Sequence, residues 1–462
     1  MAVLHESGDA GSPPGDQVTR GRGVTRRGFL AGAGGAVAGV AAGAAMAAPY
    51  IVPASALGAG GATPPSDRIG IGSIGLGSRG TQHLKGLLQA DGVEIRAVCD
   101  PQQPKCEAAR DRAAKAYAGR AQRGSFRGCL ATADFREVLD RPDVDAVVIA
   151  APENWHALVA AFAARAGKDI YCEKALSLTV AEGRALVDTV RRTGRILQVG
   201  TQQRSGRNFR FACELARNGY LGRLTRVEVG VPGGRALPNV APEPVPPDID
   251  YDLWLGPAPY TPYNPLKVSF NWYFIYDYCI GWIQSWGVHH VDIALWGAPS
   301  LGQGAGLQVE GSAVFPDDGI ANTSITWDVR CTTPDGLVLH FTDNRKNPQG
   351  CRFIGEKGWV HVTRGGIRAE PASLLTVALG PGAIRLYESN EHHGNWIECM
   401  RTRRDPVAPI EAGHAATGLT IVCDIATRLG RKLTWNWPTE TFENDPAADR
   451  MLSRAMRNPW RL

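Results

Sequence analysis

Three glycines with the spacing G-x-G-x-x-G lie directly after a short apolar run at residues 68–74, which predicts a buried strand. In such a motif the first glycine permits a tight turn, and the second lets backbone N–H groups approach a pyrophosphate. The third lets the next helix pack closely, and the N-terminus of that helix attracts an anion. We therefore predict a dinucleotide site that includes Gly75, Gly77, Ser78, Arg79 and Gly80.

An acidic residue follows at the distance that such a site requires. The stretch "VEIRAVCD" predicts a second strand and ends in Asp100, twenty residues after Gly80. A carboxylate at this place accepts hydrogen bonds from the hydroxyls of the adenosine ribose. Because its charge disfavours a 2′-phosphate, the sequence favours NAD as the cofactor and leaves NADP open.

The elements that must position these residues alternate between strands and helices. Buried strands are predicted at 144–152, 169–174 and 195–201, and the helices between them end at Gly167 and Gly194. This alternation is typical of a doubly wound parallel sheet, which binds ligands at the carboxyl ends of its strands. The polar stretches at those ends contain the candidate cofactor contacts Pro152, Asn154, His156, Glu173 and Lys174, and the candidate substrate contacts Gln203 and Arg204.

A second group of candidates lies on the stretch 281–297, whose apolar spacing predicts a helix. Ser285 and His289 are four residues apart and share a face, and Asp292 follows His289 by one turn. The H-H-x-D pattern also suggests a metal, but no third ligand stands at a suitable spacing, so we predict no metal site. The neighbouring His290 is expected to have a structural role.

The composition excludes one class of function and leaves the redox state of the cysteines open. The 50 basic residues are scattered among 45 acidic ones and form no stripe, which argues against nucleic-acid binding. Ten cysteines are spread singly and without a CxxC, so most are expected to be buried apolar residues. The sequence leaves open whether one or two disulfide bonds form.

The N-terminal sequence has the features of a targeting segment. "TRRGFL" at 25–30 fits the twin-arginine pattern, an Ala/Gly-rich stretch follows to residue 48, and "ASA" at 54–56 offers a cleavage site. We therefore predict a signal over 1–57, with export to the periplasm by the twin-arginine machinery, which carries folded proteins. The stretch is too rich in glycine and alanine for a strong membrane span. A membrane anchor and a chance Arg-Arg pair remain the alternatives.

The order of the motifs, GLGSRG, AVCD, APENWH, CEKALS and QVGTQQR, resembles the Gfo/Idh/MocA oxidoreductase family from residue 67 to the end of the chain. The resemblance implies an NAD(P)-binding Rossmann domain over 66–201. It also implies a substrate-binding α/β domain over 202–462 with a large, open, mostly antiparallel sheet. Substrate is then expected between the domains, and the subunits are expected to form a homo-oligomer. The family commonly oxidises a sugar or cyclitol hydroxyl and passes hydride to a nicotinamide.

The resemblance also assigns two catalytic residues. Lys174 stands where the family's Glu-Lys-Pro places its lysine, and His289 matches the family's helical histidine. A partly desolvated lysine beside a nicotinamide can polarise or deprotonate a hydroxyl. Two departures put the site in doubt: Ala175 replaces the proline, whose peptide bond the family can hold in cis, and Ser285 replaces an aspartate.

Further substrate contacts are expected around the cleft. Besides Gln203 and Arg204, the candidates are Ser285, Asp292 and His393. The stretch 237–278 is rich in proline and aromatic residues, and its rings can stack on the apolar faces of sugars. The candidate rings are Trp254, Tyr260, Tyr263, Trp272, Tyr273 and Tyr276.

Export of a nicotinamide enzyme constrains its mechanism. Because NAD is scarce outside the cytoplasm, we expect the cofactor to be held tightly and regenerated in place. A second substrate can be reduced, or a glycoside can be oxidised transiently, cleaved by elimination and reduced again. The competing hypothesis is a sugar-binding protein that kept the fold and lost the chemistry, which Ala175 and Ser285 favour and Lys174 and His289 oppose.

Overall fold

The computed structural model describes residue 64 and residues 67–122 and 126–462. The predicted signal over 1–57 lies outside these residues. Within the described part of the chain, no helix has the length and apolar character needed to cross a bilayer. All ten cysteines belong to this part and carry free thiols.

The first part of the chain forms a six-stranded parallel sheet with the order β3-β2-β1-β4-β5-β6. The crossover after β3 returns to the other side of β1, so the sheet is doubly wound, as predicted. Its strands are β1 (Ile69–Ile74), β2 (Val93–Cys99), β3 (Leu130–Thr132), β4 (Ala146–Ile149), β5 (Asp169–Cys172) and β6 (Leu197–Val199).

Helices connect successive strands of this sheet, and their ends follow the expected local chemistry. The last of them begins with the Thr179 side chain accepting a hydrogen bond from the Glu182 N–H, and it ends at Gly194 in the left-handed conformation. The helices are α1 (Ser78–Leu87), α2 (Gln103–Ala116), α3 (Ala118–Gln122), α4 (Phe135–Leu139), α5 (Glu153–Arg165) and α6 (Val180–Thr193).

The second part forms a nine-stranded sheet with the order β13-β12-β11-β7-β10-β9-β8-β14-β15. Only β7 and β10 pair in parallel, so the sheet is mostly antiparallel, as expected. Its strands are β7 (Leu224–Val231), β8 (Leu307–Val314), β9 (Thr326–Thr332), β10 (Val338–Asp343), β11 (Gly350–Gly355), β12 (Gly358–Thr363), β13 (Gly366–Glu370), β14 (Leu433–Asn436) and β15 (Thr441–Phe442).

The single helix predicted over 281–297 is wrong in one respect, because the chain forms two helices that are interrupted at Trp286. Ser285 ends the first of them and His289 lies in the second. The helices of this part are α7 (Arg207–Arg217), α8 (Tyr251–Leu255), α9 (Trp282–Ser285), α10 (Gly287–Gly297), α11 (His392–Thr402), α12 (Ile410–Leu429) and α13 (Pro446–Asp449).

The hydrophobic core of the parallel sheet includes residues from late in the chain. Trp396 and Met400 of α11 belong to the same buried cluster as Ile71, Tyr171 and Ile196. The β6 edge also receives the late chain, through a 3.0 Å hydrogen bond from Val199 N–H to the Ala408 carbonyl. The domain boundary predicted between residues 201 and 202 therefore stays a prediction. Residues from after this boundary pack against the parallel sheet that lies before it.

Candidate active site

A cavity of about 780 Å³ lies at the carboxyl ends of the parallel strands. Its wall combines the turn after β1 and the ends of β2, β4 and β5 with α9, α10 and the turn between β12 and β13. Both parts of the chain thus contribute to one site, at the edge of the sheet where doubly wound folds bind ligands.

The glycine turn has the shape of a pyrophosphate cradle. Gly75 has φ +83°, and a Cβ on it would meet the Ala150–Ala151 backbone at 2.5 Å. A Cβ on Gly80 would lie 1.8 Å from the Gly75 carbonyl oxygen, whereas one on Gly77 would meet no atom within 4 Å. Helix α1 starts at Ser78 without a side-chain cap, so the N–H groups of its first turn are left for an anion.

Asp100 lies at the end of β2 and lines the same cavity. Its two carboxylate oxygens accept hydrogen bonds from Leu76 N–H at 2.8 Å and from Gln102 N–H at 3.0 Å, which fixes the side chain. Each oxygen keeps a lone pair for a ribose hydroxyl. The cradle and this carboxylate together fit the phosphates and the adenosine ribose of NAD.

Lys174 follows β5 and joins the two parts of the chain at the cavity. Its Nζ donates a hydrogen bond to Ser285 Oγ at 2.8 Å and lies 3.9 Å from Glu153 Oε1. The Lys174–Ala175 peptide bond is cis, so the replacement of proline by Ala175 leaves this segment in the cis form. The serine that replaces the family's aspartate thus holds the lysine directly.

His289 lines the cavity beside Lys174, and only 6% of the residue is exposed. Burial, followed by the charges of Lys174 and Arg364, holds the pKa of His289 well below its usual value. Its Nδ1 is buried and has no hydrogen-bond partner among the described residues. The neutral imidazole can accept a hydrogen bond, or a proton, from a bound ligand at the edge of the ring that lines the cavity.

Glu173 is the most heavily bonded carboxylate of the site. It accepts hydrogen bonds from Arg79 Nε at 2.9 Å and from Gln202 Nε2 at 2.9 Å, and it lies 2.8 Å from His83 Nε2. Burial opposes its ionisation, but the hydrogen bond with His83 and the charge of Arg79 hold its pKa well below the usual range. His83 Nδ1 lies in turn 2.8 Å from His393 Nε2. His393 is therefore connected to the cavity indirectly, through His83 and Glu173.

Several other candidates hold the fold around the cavity and do not line it. Arg204 and Asp292 form a buried ion pair with a shortest N–O distance of 2.7 Å. Asn154 donates to the Leu255 carbonyl at 3.1 Å, and the Gln203 amide lies 3.5 Å from His290 Nε2. The structure thus places Ser285 in the cavity wall and leaves Gln203, Arg204, Asp292 and His393 outside it.

The other cofactor candidates, and half of the predicted rings, do line the cavity. Pro152 and His156 are part of its wall, and His156 Nδ1 lies 2.7 Å from the Ala175 carbonyl, which ties the segment after Lys174 to α5. Tyr260 is 69% exposed, and Tyr263 packs into a buried aromatic cluster without lining the cavity itself. The predicted rings that line the cavity are Trp254, Trp272 and Tyr273.

Four contributors were not predicted from the sequence. Glu153 stands between the predicted contacts Pro152 and Asn154, and an acid in the first turn of a helix is a usable signal. His83 lies on the buried face of α1, where a single histidine gives no signal of a site. The other two are Trp286 and Arg364, which line the cavity from α9–α10 and from the β12–β13 turn.

Replacing His83 by leucine is expected to lower the free energy of unfolding by about 1–3 kcal/mol, because buried Glu173 loses a hydrogen bond. NAD affinity is expected to fall as well, because Glu173 also holds Arg79 of the cradle. Urea unfolding and NAD titration measure the two effects. His414→Leu is the matched control, since His414 bonds Glu440 at 2.8 Å away from the cavity. An equal loss of NAD affinity in both variants would contradict this role.

Replacing His290 by leucine is expected to reduce the acid sensitivity of the fold. Burial, followed by the charges of Arg364 and His361, lowers the pKa of His290 to about 3. The unfolded chain therefore binds this proton first, near pH 6.5, and the fold loses about 1.4 kcal/mol per pH unit below that value. Urea unfolding of both proteins between pH 7 and pH 5 measures this effect. As the pH falls, the free energy of unfolding of the wild type should decrease faster than that of the variant, by about this slope. Parallel curves would refute the expectation.

The comparisons with known proteins agree with this geometry. Residues 69–201 match the model of the GFO_IDH_MocA oxidoreductase family described as the NAD-binding Rossmann fold. Residues 234–462 match the model described as the C-terminal alpha/beta domain of the same oxidoreductase family. The two models together cover most of the chain.

Similar proteins include a glycosyl hydrolase family 109 protein of Shewanella baltica, 32% identical over 211 residues, which cover 44% of this chain and 45% of the relative. A family 109 protein of Shewanella sp. strain MR-4 is 33% identical over 167 residues, which cover 36% of this chain and 35% of the relative. The chain therefore spans less than half the length of these curated relatives.

Two solved structures share the fold. The WlbA dehydrogenase of Chromobacterium violaceum, in complex with NADH and UDP-GlcNAcA, superposes with a TM-score of 0.59 at 18% identity, covering 80% of this chain and 96% of that one. The aldose-aldose oxidoreductase of Caulobacter crescentus superposes with a TM-score of 0.56 at 18% identity, covering 79% and 99%. With its glycine cradle, its two sheets and both family models in agreement, the chain belongs to the Gfo/Idh/MocA oxidoreductase family.

Proposed function

We propose that this protein is an NAD-dependent oxidoreductase that acts on a hydroxyl group of a sugar, cyclitol or glycoside. The observation that carries the proposal is the placement of Lys174 and His289 in the same cavity wall as the glycine cradle and Asp100. A proton donor, a proton acceptor and a nucleotide cradle in one cavity are what the oxidation of an alcohol requires.

The side chains divide the work at the substrate hydroxyl. Lys174 Nζ donates a hydrogen bond to the substrate oxygen, and Ser285 and Glu153 hold the lysine in place. Neutral His289 accepts the hydroxyl proton at the edge of its ring that lines the cavity. When bound, NAD⁺ supplies the hydride acceptor, and its reduced form supplies the donor.

The aromatic wall suits a sugar. Phe270, Trp272, Tyr273, Trp282 and Trp286 line the cavity on the side of the second part of the chain. Rings of this kind pack against the C–H faces of a pyranose and exclude water, while the sugar hydroxyls bond to the polar groups. This aromatic wall favours a carbohydrate or cyclitol as the substrate, rather than a linear aliphatic alcohol.

The cellular setting is part of the same proposal. The twin-arginine pattern supports export of the folded protein to the periplasm, where a tightly held NAD is regenerated in place. The wide second sheet supports pairing of subunits in a homo-oligomer. Cell fractionation and light scattering measure these two properties.

The first experiment is to purify the full chain without added nucleotide, denature it, and assay the supernatant for NAD(H) and NADP(H). Near-stoichiometric NAD(H) is expected. Rapid exchange of the bound nucleotide with free NAD would remove the argument for regeneration in place. A chain that carries no nucleotide and binds no added NAD would instead be the sugar-binding protein.

A redox-neutral glycosidase is the second candidate, and the match to proteins named glycosyl hydrolase family 109 favours it. Such an enzyme oxidises the sugar transiently, and its cofactor ends the cycle unchanged. The test is to incubate the NAD-loaded protein with nitrophenyl glycosides and follow nitrophenol and NADH together. Nitrophenol release without NADH accumulation identifies the glycosidase, whereas NADH accumulation without cleavage identifies the dehydrogenase.

A further inference from the structure

Arg364 is a cation in the cavity wall that no carboxylate of the described residues pairs with. It lies in the turn between β12 and β13 and lines the cavity from the side of the second part of the chain. Its guanidinium carbon lies 5.1 Å from the centroid of the Trp286 ring. Within the described part of the chain it forms no ion pair and no hydrogen bond, so all five of its donors are available.

Three other cations line the cavity among the described residues, and each has a neighbour that accounts for its charge. Arg79 pairs with Glu173 at 2.9 Å, and Lys174 bonds Ser285 and lies near Glu153. Lys105 lies at the ribose end, where its charge acts against the burial that raises the pKa of Asp100.

The surroundings of Arg364 disfavour an unbalanced charge. Arg364 is an exposed residue, but its guanidinium lies over the Trp286 ring at the cavity, where partial burial, and then the charge of Arg79, lower its pKa. The lining contains only two carboxylates among the described residues, Asp100 and Glu173, and both are already engaged. A bound anion would therefore find at Arg364 a positive charge that no carboxylate of the lining already neutralises.

The position of Arg364 relative to His289 indicates which ligand would bring that anion. Trp286 contacts both residues, since its ring centroid is 5.7 Å from that of His289 and the Arg364 guanidinium lies over its ring. The wall thus presents a proton acceptor and a cation that both contact one aromatic ring. This grouping matches a sugar whose ring packs on the tryptophan, with its reacting hydroxyl at His289 and a charged substituent at Arg364.

We propose that Arg364 binds an oxyanion group of the substrate, so that the preferred substrate of this enzyme is an acidic sugar. A carboxylate, a sulfate and a phosphate all fit, because the guanidinium offers paired donors to any of them. The inference rests on the proposed function and specifies its substrate class. The rival source of an oxyanion is the pyrophosphate of the cofactor itself.

The test is isothermal titration of the NAD-loaded full chain with matched pairs of sugars. The pairs are glucose and glucuronate, galactose and galacturonate, and N-acetylglucosamine with its 6-sulfate and its 6-phosphate. At least one acidic member is expected to bind tenfold or more tightly than its neutral partner. Arg364→Gln is expected to abolish that preference, and Arg364→Lys is expected to keep part of it. Arg368→Gln, on strand β13 of the same hairpin and outside the cavity lining, is the matched control.

Each other outcome overturns the proposal. If Arg364→Gln weakens NAD binding tenfold and leaves the sugar preference unchanged, Arg364 serves the pyrophosphate. If neutral and acidic sugars bind the wild type equally, or if no sugar binds, Arg364 selects no anion. Failure of the proposed function is distinct, because it appears as absence of NAD binding in every variant. In that case the same sugar pairs, titrated into the nucleotide-free chain, still decide the role of Arg364.

Discussion

Replacing Lys174 by methionine is expected to slow hydride transfer by about 10²–10⁴-fold, the range that a positioned acid or base contributes. Methionine keeps the length of the side chain and removes the donor that now bonds Ser285 Oγ at 2.8 Å. NAD binding is expected to persist, because the cradle at Gly75–Gly80 is untouched. Single-turnover formation of NADH, on a substrate that turns over with the wild type, measures the effect.

Two controls separate chemistry from charge in this experiment. Lys105→Met removes a cation at the ribose end of the same cavity and is expected to leave the hydride-transfer step within a factor of a few. Lys174→Arg keeps a cation and is expected to recover only part of the rate, since a guanidinium differs in shape from an ammonium. A Lys174→Met protein that turns over within tenfold of the wild type would remove Lys174 from the mechanism.

Replacing Gly77 by alanine is expected to weaken NAD binding by about 10- to 100-fold and to leave the fold nearly as stable as before. The added Cβ would meet no protein atom within 4 Å, and the backbone φ of −63° suits any residue. The methyl group would lie where the backbone must approach the pyrophosphate, and overpacking of this kind costs about 1–3 kcal/mol. NAD titration measures the affinity of this variant, and urea unfolding measures its stability.

Two other glycines of the same region provide controls for this prediction. Gly86→Ala, on the same helix α1, also adds a Cβ with no atom within 4 Å, and is expected to preserve NAD affinity and gain up to about 1 kcal/mol of stability. Gly80→Ala would put its Cβ 1.8 Å from the Gly75 carbonyl oxygen and is expected to destabilise the fold by about 3 kcal/mol or more. If Gly77→Ala binds NAD as the wild type does, the cradle is not the phosphate site.

The parallel sheet and its nucleotide turn could be predicted because their signals are local. Gly75 needs a positive φ, and Gly80 needs the absence of a Cβ, and both demands are met within a few residues of sequence. The doubly wound sheet follows from the regular alternation of apolar strands and amphipathic helices. The interruption at Trp286 was missed because apolar spacing continues through it on both sides.

The partners in the site were harder to predict because they come together only through the fold. His83 contacts Glu173, which is 90 residues away in the sequence, and His393, which is 310 residues away. No periodic sequence pattern predicts contacts over such separations. Arg364 stands between a threonine and two glycines, which in sequence looks like an ordinary surface turn. Its approach to the cavity depends on how the wide sheet packs behind α9 and α10.

The late helices that complete the core of the parallel sheet set the order of events during synthesis. Trp396 and Met400 pack on Ile71, Tyr171 and Ile196, so the nucleotide-binding half lacks part of its interior until α11 has left the ribosome. At roughly 5–20 residues per second, the interval between Ile196 and Trp396 lasts about 10–40 s. Throughout that interval an apolar surface stays open to chaperones. A nascent chain that stops before α11 is therefore expected to hold no cofactor, and loading with NAD becomes a step that follows translation.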